Sequence, residues 1–264
     1  MTLCAAAIAS DSTIVTVSDT LLTGGTTSSD GCTAKMEPFA KDWIAMFSAD
    51  DIGQCLPIIE RARDYFSNRA NTVATARNAF KRAYQRHLVE MKTDAVLAGY
   101  GLDMKTFLTS GKRRFTEKVF NDICGQLEAT KAGCDFLVFG FDGSKRPHIF
   151  KVSDPGTDCT FDKPGFCCIG SGAYAADAIL HYFEQRTLRT LSETVFNLCA
   201  AKFMAERSGI GKDTYLFIKR PGTLSSSWTH GMLEDVRRAW ETSGVPRVPN
   251  GILQTIERSN IQCF

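Results

Sequence analysis

From its third residue the chain alternates as a strand does. LCAAAIA and TIVTVS, apolar or β-branched runs on either side of the turn Asp11–Ser12, read as two strands of a hairpin over residues 3–20. Chain ends usually fray as polar tails. This one is predicted to be tied into a sheet, which fixes a backbone nitrogen and a hydroxyl at Thr2.

LLTGGTTSSDGCTAK reads as turn and loop, and strands are expected at about 35–39 and 43–48. Asp50 or Asp51 caps a helix carrying Ile52, Leu56, Ile59 and Phe66, with a kink predicted at Pro57. Helices follow at about 73–97 and 116–129, separated by the glycine-broken GYGLDMKTFLTSGKRRF. CDFLVFGFDG and RPHIFKVS read as a hairpin, and FCCIGSG as a buried strand running into a tight turn. Helices at about 173–185 and 192–208, the strand DTYLFIKR, a helix at about 232–243 and a Pro- and Gly-punctuated tail complete the order. Strands, helices, strands, helices, strands is the grouping of an α+β fold rather than of a doubly wound parallel sheet. No repeat or low-complexity linker divides residues 1–264, which read as a single domain.

Composition excludes several functions. At 44% hydrophobic and 23% charged, with net charge +2, the chain has no general drive toward nucleic acid or anionic membrane. The basic face of the second helix (Arg77, Lys81, Arg82, Arg86, Lys92) reads as solvated. No apolar run approaches membrane-spanning length and no secretory signal is visible, so a cytoplasmic location is expected. The ten cysteines show no C-x-x-C spacing and the four histidines are scattered. They read as small core residues in a reducing compartment, with no metal or cofactor expected.

Removal of Met1 would leave Thr2 with its hydroxyl beside a free α-amine. Such an amine, of ordinary pKa ~7.7–8.0, can serve as the base for a hydroxyl that is otherwise a poor nucleophile. If the first two strands pair, the Asp19 end of the second lies beside Thr2, and Lys35 at the start of the next strand can reach both. These residues resemble those of proteasome β-type subunits, threonine-type N-terminal nucleophile hydrolases, in the bacterial form without a long propeptide. The resemblance implies a four-layer αββα sandwich, two antiparallel sheets flanked by helices. It implies catalytic roles for Thr2, Asp19 and Lys35, with Ser171 of the G-S-G turn and Glu206 of AERSG in support. It places extended substrate along Thr23 and Gly25 and a moderately apolar pocket near Phe47.

The resemblance covers about residues 2–70 and 132–220. Where the family has a glycine at its oxyanion donor, this chain has Ser48 and Ala49; Leu21 stands where arginine is common. The region 73–133 is longer and more helical, and the segment after Arg220 matches poorly. The implied function is a threonine endopeptidase in a homo-oligomeric ring or helical stack, acting on peptide or unfolded protein and open to an unfoldase partner. Two alternatives stand beside it: a catalytically silent structural subunit of the same fold, and a hydrolase of small amides.

Overall fold

The structure is a computed structural model, and it describes residues 2–24, 27–29, 35–49, 51–222, 226–228 and 230–244. In chain order the strands of the first part are β1 (Cys4–Ile8), β2 (Ile14–Asp19), β3 (Leu22–Gly24), β4 (Thr27–Ser29), β5 (Met36–Ala40) and β6 (Trp43–Ala49). Helices α1 (Cys55–Phe66), α2 (Val73–Lys92), α3 (Met104–Arg114) and α4 (Glu117–Ala129) follow. Then come β7 (Cys134–Phe141), β8 (Pro147–Ser153), β9 (Thr157–Thr160), β10 (Phe166–Ile169), α5 (Ala173–Tyr182), α6 (Leu191–Glu206), β11 (Thr214–Lys219), β12 (Ser226–Trp228) and α7 (Glu234–Ala239).

Two antiparallel five-stranded sheets form the centre, ordered β10-β1-β2-β11-β12 and β5-β6-β7-β8-β9. Period-2 alternation sorts their side chains into three cores. Cys4, Ala6 and Ile8 of β1 meet Met46, Leu137 and Phe139 between the sheets. Ala5 and Ala7 face α5 and α6, in the core of Leu180, Leu198 and Phe203. On the other outer face Phe47, Phe136 and Phe150 pack on Ile58, Phe80 and Tyr84 of α1 and α2. With both faces covered, β1 must be apolar throughout, and every residue from Leu3 to Ala7 has zero exposure. The result is an αββα sandwich, as expected.

Several elements depart from their sequence reading. The predicted loop after β2 contains the short β3–β4 hairpin. Asp51 caps a 3-10 turn, Ile52–Gln54, and α1 starts only at Cys55. Pro57 therefore sits in the first helical turn, where its missing N–H has no intrahelical acceptor to lose, and no kink is required. Asp50, the alternative cap, lies outside the described residues. The segment 99–115, read as a break, holds α3, whose Gly111 packs against Phe107 and Phe120. There the glycine is a contact point between aromatic rings rather than a stop. Arg77 and Lys81 of the basic face of α2 pair with Asp158 on β9. The cysteines among the described residues are free, and no helix there is long and apolar enough to cross a membrane.

Gly140 marks the closest approach within the second sheet. A Cβ there would stand 2.2 Å from the Asp42 carbonyl oxygen and 2.8 Å from the Trp43 ring. Gly140→Ala is expected to lower unfolding free energy by about 3 kcal/mol. Urea denaturation reads this directly; a midpoint equal to wild type would contradict the packing described.

Candidate active site

Thr2 precedes β1, and the register that pairs Cys4 with Ser18 and Ile169 brings it beside the ends of β2 and β10. Its backbone is clamped on the β10 side. Gly172 N–H donates to the Thr2 carbonyl at 3.1 Å, and Thr2 N donates to Ser171 Oγ at 3.0 Å. Gly170, at φ +92°, passes so close that a Cβ would lie 2.2 Å from that same carbonyl. Only glycine combines this left-handed backbone with this approach. The strand-to-helix turn G-S-G thus holds the residue that carries the hydroxyl.

On the other side, Lys35 Nζ donates to Thr2 Oγ1 at 2.8 Å and to Asp19 Oδ2 at 2.8 Å. Asp19 has no exposed surface, and its remaining acceptor capacity is used by backbone: Leu3 N–H at 2.8 Å on Oδ1 and Leu21 N–H at 3.2 Å on Oδ2. A buried carboxylate with two amide donors and an ammonium is well satisfied. The ammonium keeps one donor directed at the threonine oxygen. Cys4, beneath it, is held protonated: burial raises its thiol far above the ordinary range, against the opposing influence of Lys35.

Phe47 N–H donates to the Lys35 carbonyl at 3.2 Å. Because N–H groups alternate along an antiparallel strand, Ala49 N–H points to that same edge, whereas Ser48 N–H points across to β7. Of the two residues named as oxyanion donors, Ala49 has the amide on the Lys35 edge. A cleft of about 590 Å³ opens at Thr2, lined also by Ser48, Ala49, Gly170 and Ser171. Its further lining comes from Lys131, Gly133, Cys134, Asp135, Ser153 and Asp154.

The other sequence-derived residues lie elsewhere. Phe47 is buried in the core under α1 and α2 rather than in the cleft, so the apolar pocket expected from it is corrected to one lined with charged and hydroxyl groups. Glu206 is bound bidentately by Arg237 at 2.8 Å and by Lys202 at 2.5 Å. Lys202, wholly buried on α6, donates to the carbonyls of Gly211 at 2.8 Å and Lys212 at 2.6 Å, just before β11. Thr214 of β11 pairs with Asp19, so Glu206 acts on the strand beside the acid and not on Thr2. Thr23 lies on β3, paired with Ser28, and Gly25 is outside the described residues. Sequence reasoning missed Lys202 and the β7–β8 lining residues, which no motif marks.

No family model and no curated protein matches the sequence. Among solved structures, the chain is similar to the Anbu (Gly-1) mutant from Hyphomicrobium sp. strain MC1. The TM-score is 0.64 at 14% identity, over 100% of this chain and 99% of that one. What the two share is the fold. That fold is the αββα sandwich, two antiparallel sheets flanked by helices, and the likeness corrects the family expected from sequence. A bacterial proteasome β-type subunit left residues 73–133 and those after Arg220 unaccounted for, whereas the Anbu structure matches from end to end.

Removing one member of the buried pair strands the other. Lys35→Met is expected to destabilise the fold by about 3–5 kcal/mol, and adding Asp19→Asn to restore much of that loss. Denaturant titration of the three variants checks it; a double variant no more stable than Lys35→Met would contradict the pairing.

Proposed function

We propose that this chain is an amide-bond hydrolase of the N-terminal nucleophile type, cleaving peptides with Thr2 once its amine is freed. The observation that carries the reading is the Lys35 ammonium, 2.8 Å from both the Thr2 hydroxyl and the Asp19 carboxylate. The α-amine of Thr2 takes the hydroxyl proton, and the ammonium stabilises the alkoxide as it forms. Asp19 orients and neutralises Lys35. Thr2 Oγ1 attacks the scissile carbonyl, whose oxygen collects charge against the Ala49 N–H. The protonated amine passes its proton to the leaving amine, and water then hydrolyses the ester, returning the hydroxyl. Ser171, at 3.0 Å, holds the nitrogen in place.

A self-assembled oligomer fits the outer helices. Tyr174, Tyr182 and Leu188 are 90%, 65% and 82% exposed along and just beyond α5, which starts beside the catalytic turn. The four polar or charged side chains Lys131, Asp135, Ser153 and Asp154 in the cleft favour substrates with polar groups near the scissile bond.

A fluorogenic peptide panel tests the reading, with intact mass to confirm that Thr2 is N-terminal. Thr2→Ala is expected to fall to background, Thr2→Ser to retain activity, and Lys35→Ala to lose at least about 10²–10⁴-fold. Cleavage by Thr2→Ala at the wild-type rate would overturn the proposal.

A further inference from the structure

The β2–β11 ladder that reaches Thr2 at one end reaches a second cavity at the other. Asp19 pairs with Thr214 at one end of the β2–β11 ladder, and Ile14 pairs with Lys219 at the other. Around Lys219 lies a cavity of about 510 Å³, lined by Lys41, Asp42, Asn71, Asp142 and Lys145 among others. It plays no part in the chemistry above.

Lys219 is the unusual member. Its residue is 8% exposed, and among the described residues its amine makes no hydrogen bond and no ion pair within 4.0 Å. Burial depresses its pKa, and the Asp42 carboxylate opposes that shift. Its stem is buried while its ammonium keeps contact with the cavity, where an anionic ligand would meet it.

The two carboxylates in the wall do not fill that role. Asp142 already accepts Ser144 N–H, Arg146 N–H and Arg146 Nε, each at 2.9 Å. Asp42 Oδ2 accepts Asn71 Nδ2 at 3.3 Å. Asn71 also takes Trp43 Nε1 at 2.6 Å on its side chain and Gly143 N–H at 2.7 Å on its carbonyl. It thereby pins the α1–α2 connection onto the cavity and keeps the walls in place. Lys41 and Lys145 are exposed residues that add two more ammonium groups to the lining.

We propose that this cavity binds the phosphate group of a small molecule, with Lys219 meeting the dianion inside and Lys41 and Lys145 closing on it from the solvent side. Lysines act on phosphate as point charges, so a dianion answers several of them at once. The cavity volume suits a metabolite rather than a polymer. The inference is independent of the hydrolase reading, because it concerns the opposite end of the sheets and is read by binding.

Isothermal titration of the full chain with inorganic phosphate, pyrophosphate and succinate at fixed ionic strength tests it. Saturable binding of phosphate and pyrophosphate to one site is expected, with succinate about tenfold weaker or more. Lys219→Met is expected to weaken phosphate binding at least about tenfold while leaving the denaturation midpoint close to that of wild type. Lys145→Gln, at an exposed position, is expected to weaken binding with the fold untouched, and decides the matter should Lys219→Met fail to fold. Absence of saturable phosphate binding, succinate binding as tightly, or a folded variant binding phosphate as wild type does would each overturn the proposal.

Discussion

One buried ammonium organises this molecule. Lys35 enters from the second sheet and meets a carboxylate at the end of β2 in the first, where water contributes little to solvating either. Charges in such a place persist only if every lone pair and proton finds a partner. Asp19 finds two backbone amides, and Lys35 finds the threonine hydroxyl. The ion pair therefore does more than join two sheets. It requires an oxygen at the position where the chain carries Thr2.

The remaining architecture keeps that oxygen still. Small residues along β1 let the α5–α6 layer and the second sheet close on it, and the left-handed Gly170 lets β10 come within carbonyl contact of Thr2. On the far side of β2, the buried Lys202 fixes the backbone leading into β11, the strand paired with Asp19. Acid, ammonium and hydroxyl are thus held by three separate pieces of backbone, each tied down by its own hydrogen bonds.

Local pattern made much of this legible. Alternation and β-branched residues marked the central strands, and the order of strand and helix groups pointed to a layered α+β sandwich. Thr2, Asp19 and Lys35 could be singled out because each sits at a strand end; register brings Thr2 beside Asp19, and the packing of the second sheet on the first brings Lys35 to both. What local pattern could not carry was longer in range. Phe47 reads identically whether it faces a cleft or a helix layer, and its face is set by a pairing with Phe136, far along the chain. Gly111 looked like a break because its packing partner, Phe120, belongs to the next helix. Glu206 was placed near the nucleophile by spacing, but Arg237 and Lys202 claim it. The family assignment failed for a related reason: motifs near Thr2 describe a site, and sites recur across subfamilies that differ in the elements around them.

The account stands or falls on Thr2 presenting a free amine and an activated hydroxyl from the same residue. A peptide epoxyketone tests both together, since closing a six-membered ring with it needs a hydroxyl and an α-amine on adjacent carbons. After incubation with the purified chain, mass spectrometry should find one adduct per chain, mapped to Thr2, and slowed or lost in Lys35→Ala. No adduct on a chain whose N-terminus is Thr2, or an adduct that forms as readily without Lys35, would contradict it.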